Sequence, residues 1–527
     1  MEQKKKETEK DASPKKLGRR DILKGLATIP IVGAFGYGVY KKERHYNNLN
    51  RKLLEELDID IQEQKGLNVP TDKKIRIGVV GFGSRSNYML RSLGFAHPTY
   101  MDNLIKRAKV ERGWDERLQN FIDQEDMGVE ITAICDVFDV HAQAGIEAGE
   151  NIYRQGSNGK KGKSPKRYKT YNELVKADDV DAIIIGTPDH LHVPVVIEAA
   201  KYGKHVYCEK PLSWTVEETY EVRKAVVDSG IIFQLGHQNR QTDSYHAAKD
   251  IIKKGILGKI SLIETTTNRN TPNGAWVYPI HPDANQNNID WKQFIGPAPW
   301  HDFDLERFFR WRCWWDYSTG LSGDLFTHEY DAMNQILELG IPSSAVASGG
   351  IYFFKDGRTV PDVLNMAFEF EDRDLTLLYT ATQASQYDRK RLIMGHDATM
   401  EVGSTLEVTA DPNSTRYSDK IKSGIIDPKS PLFTYVPGKN KVDAVSTATE
   451  KYFAGRGLLY THRDGKQVDT THLHLREWLD YVRLNNGTQP SCDIHRGFEE
   501  AMTAHMGTIS YREGRRTYWD AEKEKIV

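Results

Sequence analysis

The run Val180-Asp181-Ala182-Ile183-Ile184-Ile185-Gly186 restricts the fold more than any other stretch of this chain. Its apolar residues follow one another instead of alternating with polar ones. That suits a strand covered on both faces, and such strands belong to parallel sheets with helices packed on either side. Runs of similar character flank it: Lys74 to Val80 and Val129 to Cys135 upstream, Lys204 to Cys208 and Ile231 to Leu235 downstream. Helical stretches separate them, at about His141 to Tyr153, Val195 to Tyr202 and Val216 to Ser229. The alternation predicts a Rossmann-type α/β domain with a parallel sheet over residues 73–236.

The first of these strands ends in Gly81-Phe82-Gly83-Ser84-Arg85-Ser86. Gly81 allows a tight turn. Gly83 lets the backbone approach a pyrophosphate, whose charge is met by amides at the start of the following helix, around Ser84 and Arg85. Ser86 stands where a third glycine or alanine is usual. The second strand closes on Asp136, whose carboxylate can accept the ribose hydroxyls of NAD and would repel the extra phosphate of NADP, so NAD is the favoured cofactor. Asp136 lies 55 residues after Gly81, far beyond the usual spacing of about 20, so an insertion is placed at residues 96–127. The alternative, that Asp136 only caps the following turn, stays open.

The strand at 180–186 opens into Thr187-Pro188-Asp189-His190-Leu191-His192. His190 and His192 have a spacing that could suggest metal, but no further ligand cluster accompanies them. Thr187, Pro188, His190 and His192 are instead taken as loop and helix-start residues near the cofactor, with no metal expected. The next strand runs into Glu209-Lys210-Pro211, which places Lys210 at the carboxyl end of a parallel strand, where open α/β sheets bind ligands.

From His237 onward the pattern becomes strand-rich, with runs at Lys259 to Thr267, Ser344 to Phe354, Leu364 to Phe370, Leu375 to Ala381 and Arg391 to Val402. Residues 237–527 therefore form a second, α+β domain. An aromatic segment, from Trp276 and Tyr278 through Trp291 to Tyr317, sits between the first two runs. Flat rings beside charges suit a polyhydroxylated ligand, although any one of these tryptophans could equally fill the core. Thr319 to Leu339 reads as a helix ended by Gly340-Ile341-Pro342. On it Asp324 and His328 are four residues apart and share a face, with Asp331 three further along. A pair of that kind is by itself an ordinary polar contact.

Gly81-Phe82-Gly83, Thr187-Pro188-Asp189-His190-Leu191-His192, Glu209-Lys210-Pro211 and the pair Asp324 and His328 together resemble the glucose-fructose oxidoreductase and inositol dehydrogenase family, Gfo/Idh/MocA, over about residues 73–520. The chain departs from it at Ser86, at Asp189 where asparagine is common, and in the insertion. The resemblance implies an open, mostly antiparallel sheet in the second domain, often used for oligomer contacts. A homo-oligomer, dimer or tetramer, is expected. It also implies C-terminal helices that return to the first domain, and it sets Asp324 and His328 opposite Lys210. Oxidising a secondary alcohol needs a base and a positive neighbour for the alkoxide. His328 is then the principal acid/base, Lys210 the alkoxide stabiliser and proton partner, and Asp324 the group that positions them. Glu209 and Lys210 border the cofactor. Asn268, Arg269, Arg312, Asp316 and Tyr317 are substrate-contact candidates.

A chain of 527 residues is too long for one ordinary core. Its net charge of −2 gives no general reason to expect nucleic acid. Four scattered cysteines, Cys135, Cys208, Cys313 and Cys492, suggest neither a zinc site nor a disulfide framework. At the N-terminus, Gly18-Arg19-Arg20-Asp21-Ile22-Leu23-Lys24 resembles a twin-arginine export motif, and the 16 apolar residues from Gly25 to Tyr40 are short for a membrane span. Residues 1–40 are read as an export signal, with retention as an uncleaved anchor left open, and 41–72 as a linker.

The expectation is thus an exported, periplasmic NAD-dependent oxidoreductase with the twin-arginine machinery as a partner and a carbohydrate or polyol as substrate. Two alternatives accompany it. One is an NAD-dependent glycoside hydrolase working through a transient keto-sugar. The other is a non-catalytic NAD-binding sugar sensor, which would not need Lys210, Asp324 and His328 together.

Overall fold

The computed structural model describes residues 55–57, 66–67, 69–154, 156–157, 159–387, 389–436, 460–463 and 466–527. The arginine pair, the apolar run behind it and most of the proposed linker lie outside the described residues. Among the described residues, no helix is long and apolar enough to cross a membrane.

The first domain is built on six strands: β1 (Ile75–Val80), β2 (Val129–Cys135), β3 (Lys166–Tyr168), β4 (Ala182–Ile185), β5 (His205–Cys208) and β6 (Phe233–Leu235). All their pairings are parallel. They lie in the order β3-β2-β1-β4-β5-β6, the Rossmann arrangement, which opens a ligand crevice at the carboxyl ends of β1 and β4 where the order reverses. All four residues of β4 are buried, as its apolar run requires.

Helix α1 (Ser84–Ser92) follows β1, and the insertion then adds α2 (Pro98–Val110) and α3 (Trp114–Ile122) before β2. Ala96, Met101 and Leu104 form a small core of their own, with Tyr100, Trp114, Leu118 and Phe121 against it. The excursion leaves the sheet register intact: Val80 faces Cys135, and the amide of Gly81 donates to the carbonyl of Cys135 at 2.8 Å. The glycine turn and Asp136 are therefore neighbours despite their distance in sequence. Helices α4 (Asp139–Glu150), α5 (Tyr171–Val175), α6 (His192–Lys201) and α7 (Val216–Ser229) complete the layers. Thr215 and Glu218 close the first turn of α7 as a reciprocal capping box.

Ser86 shows how this fingerprint manages without its third glycine. Its Oγ donates to the carbonyl of Gly81 at 2.5 Å. On the other side, a Cβ added at Gly186 would lie 2.1 Å from that Oγ. The close approach of helix and sheet is kept by a glycine after β4 instead of one on α1.

The second domain contains a ten-stranded sheet. Its members are β7 (Ile260–Asn268), β8 (Ser344–Gly350), β9 (Val363–Phe370), β10 (Leu375–Thr382), β11 (Arg391–Gly395), β12 (Ala398–Val402), β13 (Leu406–Ala410), β14 (Phe433–Tyr435), β15 (Thr517–Asp520) and β16 (Lys525–Ile526). They run β14-β13-β12-β11-β7-β10-β9-β8-β15-β16. Only β7 with β10 is parallel, so the sheet is open and mostly antiparallel. The stretch expected as one strand from Arg391 to Val402 breaks into β11 and β12, because His396 and Asp397 turn back to bond Lys259 and Leu257.

One face of the sheet is covered by α8 (Asp243–Lys253) and α9 (Thr327–Leu337), and by Phe326, which stacks on Phe368 with ring centroids 4.8 Å apart. Helix α10 (Thr470–Leu484) sends Leu475, Trp478 and Leu479 into the same cluster as Ile75, Ile77 and Tyr207. Helix α11 (Ile494–Glu513) touches both halves: Ile494 and Ala501 pack with Leu212 and Phe233, Ala504 and Met506 with the second core. All four cysteines are buried and free.

Gly186→Ala is expected to lower the unfolding free energy by about 1–3 kcal/mol, the range for overpacking a tight interior. Adding Ser86→Gly should recover much of the loss. Urea titrations showing the same loss in both backgrounds would locate the clash elsewhere.

Candidate active site

Gly81 adopts φ of +81°, and a Cβ there would come within 2.9 Å of the amide of Thr187. Only glycine fits that turn. A Cβ at Gly83 would instead meet nothing within 4 Å. Gly83 is also the N-cap of α1 and offers no side-chain bond to the first amides, those of Ser84 and Arg85. An open face beside uncapped amides is the cradle that a dinucleotide pyrophosphate needs, and the buried, unpartnered Oγ1 of Thr187 lies next to it. These residues fit the cofactor. Asp136 at the end of β2 accepts from the amides of Phe82 (2.5 Å) and Phe138 (2.8 Å), one on each carboxylate oxygen. It therefore holds the glycine turn in place, and each oxygen keeps a further lone pair for a hydroxyl donor.

Arg85 ties the turn to the end of β5. Its Nε donates to Oε1 of Glu209 at 2.8 Å and an Nη reaches Gln238 at 3.1 Å. Lys210, next in line, donates from Nζ to the carbonyl of Asp324 at 2.6 Å and to its Oδ1 at 3.0 Å. The Lys210–Pro211 peptide is cis. Arg312, laid over the Trp311 ring, donates from Nε to the same Oδ1 at 3.1 Å. Burial alone would raise the pKa of Asp324, but Lys210, Arg312 and Arg269 outweigh it and hold the carboxyl far below the usual range.

Asp324 belongs to a wide π-helical turn, Ser322–Phe326, that leads into α9, where His328 sits. The turn is packed tightly enough that a Cβ at Gly323 would fall 1.8 Å from Oγ1 of Thr319. Thr319 is fixed in turn by Asp189, whose Oδ2 accepts from its amide at 2.9 Å and its hydroxyl at 2.7 Å. The aspartate thus links the loop after β4 to the entry of the helix that carries His328. His328 has a buried Nδ1 without a hydrogen-bond partner. Burial first, then the charges of Lys210 and His237, hold its pKa well below the ordinary imidazole value against the pull of Asp324. A neutral ring beside an ammonium group is equipped to accept a proton from a hydroxyl.

Other residues singled out in the sequence fall elsewhere. His190 bonds the carbonyl of Phe294 at 2.7 Å, and His192 those of Pro211 (2.7 Å) and Thr187 (3.0 Å). Both rings thus brace the loops around the crevice, and Pro188 caps the 3₁₀ turn that carries His190. Of the substrate candidates, Arg312 touches Asp324, and Arg269, following β7, acts on Asp324 and His328 electrostatically. Asp316 is occupied by Arg307 at 2.9 Å and His301 at 3.3 Å. Tyr317 is fully buried among His190, Phe294 and His301. Asn268 donates to the carbonyl of Tyr387 at 2.8 Å.

Sequence reasoning missed His237, Arg240 and Glu500, which the structure gathers with Asp331 behind His328. The position of His237, two residues past β6 at the carboxyl edge, was the available signal. The ligand atoms of His237, Asp331 and Glu500 all lie within 4.8 Å of one another. Arg240 is 2.6 Å from Asp331 and already supplies the positive charge that a metal ion would bring there.

Residues 75–237 match the family model of the Gfo/Idh/MocA oxidoreductases, an oxidoreductase family with an NAD-binding Rossmann fold. The levoglucosan dehydrogenase of Pseudarthrobacter phenanthrenivorans is 29% identical over 186 residues, 34% of this chain and 41% of the relative. The α-N-acetylgalactosaminidase of Shewanella oneidensis is 32% identical over 203 residues, 37% of this chain and 35% of the relative. The chain thus spans less than half the length of either curated relative. In fold it resembles the WlbA dehydrogenase of Bordetella pertussis, solved with NADH and UDP-GlcNAcA, at a TM-score of 0.55 and 17% identity, covering 85% of this chain and 98% of the other.

His190 and His505 are buried, and burial lowers each pKa to about 4. Such a group binds more protons unfolded, so its contribution to stability is intact above the unfolded value near 6.5 and is lost as pH falls toward 4. Urea midpoints should drop between pH 7 and pH 5, and His505→Gln should flatten that drop by up to about 1.4 kcal/mol per pH unit. Identical slopes in the two proteins would show that His505 is protonated without cost.

Proposed function

We propose that this chain, whose residues 75–237 carry the NAD-binding domain of the Gfo/Idh/MocA oxidoreductases, is an exported oxidoreductase that moves hydride to and from a secondary alcohol of a carbohydrate or polyol. The observation that carries this reading is the meeting of Lys210, Asp324, Arg312 and His328 at the carboxyl end of β5, beside an open glycine cradle. NAD, once bound, supplies the hydride acceptor. His328 takes the hydroxyl proton as the C–H bond delivers its hydride, and the ammonium of Lys210 lies ready for the developing alkoxide. Asp324 orients Lys210 and balances Arg312. In the reverse direction His328 returns the proton to the new alkoxide. The carboxylate of Asp136 favours NAD over NADP, whose extra phosphate it would repel.

Export through the twin-arginine route carries folded protein, so the cofactor travels inside it to a periplasm where free NAD is scarce. The bound dinucleotide is then regenerated within the cycle, by a second sugar or by the same one. Return of hydride to the same molecule, after elimination of its glycosidic substituent and addition of water in its place, is glycoside hydrolysis. The chain is locally similar to a dehydrogenase and to a glycosidase alike, so both outcomes enter the test below. The open face of the ten-stranded sheet is proposed to pair with another copy of the chain in a dimer or tetramer.

Mass spectrometry of the purified protein should find bound NAD. Incubation with a glycoside panel then separates a lasting keto-sugar from net hydrolysis. Lys210→Met and His328→Asn should each reduce turnover by about 10²–10⁴-fold, while absence of any dinucleotide binding would sink the proposal. Replacing Arg19 and Arg20 with lysine should abolish export of the chain, read by cell fractionation; normal export of that variant would remove the twin-arginine assignment.

A further inference from the structure

A second group of buried ionisable side chains lies behind His328, and the hydride chemistry above does not use it. His237 follows β6, Arg240 stands in the 3₁₀ turn Gln238–Gln241, Asp331 is on α9 three residues past His328, and Glu500 is on α11. Nε2 of His237 is 2.6 Å from Oε2 of Glu500, with side chains only 1% and 2% exposed. Arg240 pairs with Asp331 at 2.6 Å and donates to the carbonyl of Ser491 at 2.8 Å. The ring of His237 meets that of His328 edge to face, with centroids 5.3 Å apart.

Isolated charges so deep in a protein are costly, so the arrangement is stable only when its signs balance. Two carboxylates, Glu500 and Asp331, stand against one guanidinium. A proton on His237 completes the balance. Burial works against that proton and also raises the pKa of Glu500, but the 2.6 Å contact with Glu500 and the charge of Asp331 hold the proton on the ring, and the pKa of His237 is raised. His328, facing the resulting imidazolium, has a buried Nδ1 without a hydrogen-bond partner, whereas His237 has Glu500 at 2.6 Å.

We propose that His237 and Glu500 are positioning residues for His328: a buried imidazolium–carboxylate pair that fixes the His328 ring and opposes a second positive charge on it. The ring then enters each cycle as a base. This inference rests on the assignment of His328 as the acid/base group. The other charges facing His328 are Lys210 after β5, Asp324 in the π-helical turn and Arg269 after β7, and none of them is altered in the variants below.

The test uses the full chain with its bound NAD, as His237→Asn and Glu500→Gln. The first removes the imidazolium. The second removes the carboxylate and lets burial discharge His237. Hydrogen–deuterium exchange at the C2 position of His328, followed by mass spectrometry across pH, reads its titration without turnover. In both variants that midpoint should rise by about 0.5–1 unit, the scale of a lost neighbouring like charge. The acid limb of kcat/KM should rise with it, and kcat should fall about tenfold or more while KM changes little. Midpoints coinciding with that of the parent protein would overturn the proposal, even if activity or thermal stability fell. A parent protein without hydride transfer would instead remove the acid/base assignment, because the exchange midpoint is still read. Should His237→Asn fail to fold, Glu500→Gln decides by the same midpoint.

Discussion

The contact between Lys210 and Asp324 is the interaction on which the rest of this structure depends. One partner ends a strand of the dinucleotide domain and the other opens a helix of the second domain, more than a hundred residues later. At 3.0 Å, with both side chains nearly buried, removing the Asp324 carboxylate would strand the Lys210 ammonium, and stranding a buried charge costs several kcal/mol. The bond therefore fixes the distance between the cofactor crevice and the helix that carries His328. Arg85 and Glu209 extend it toward the glycine turn, and Arg312 extends it toward the aromatic segment. Asp189 with Thr319 makes a second crossing nearby. Polar contacts, not apolar ones, set the alignment at the mouth of the crevice, whereas α10 and α11 supply the apolar closure at its back.

What could be read from the sequence was what local chemistry dictates. Consecutive apolar residues at Ala182 to Ile185 specify a doubly covered strand wherever they occur, and Gly81 needs its positive φ in any tight strand-to-helix turn. The Rossmann sheet and the position of Lys210 at a strand end follow from such rules. The mixed sheet was legible as strands but not as an order. That β7 sits centrally, pairing in parallel with β10 and antiparallel with β11, depends on contacts between segments more than a hundred residues apart, which leave no periodic trace. The late strands β15 and β16 were missed for the same reason, being short edge pieces recruited after α11.

The site shows the same division. Asp324 and His328 could be paired from helical spacing, and the family pattern set them opposite Lys210. The group behind them could not be found that way, because His237 with Arg240, Asp331 and Glu500 come from three segments and meet only in three dimensions. Tyr317 illustrates the converse error. In sequence it is one more aromatic ring in a segment suited to a sugar. In the fold it is enclosed by His190 and Phe294, and its ring serves packing. Composition can mark a segment as ligand-like, but which of its rings face the crevice is decided by packing.

A deeper regularity connects these pieces. An alcohol-oxidising site needs a cation and an unprotonated base within reach of one hydroxyl, and two adjacent nitrogen groups would otherwise compete for the same protonation state. The fold distinguishes them by their neighbours. Lys210 has a carboxylate against its ammonium; His328 has a buried nitrogen without a partner and cationic groups on two sides. Environments that push two titratable groups toward opposite charge states are how proteins divide acid and base roles. The division here is built from three parts of the chain, the Rossmann strand ends, the π-helical turn and α11. The C-terminal helix is therefore part of the electrostatic design of the site and not merely a cover for the first domain.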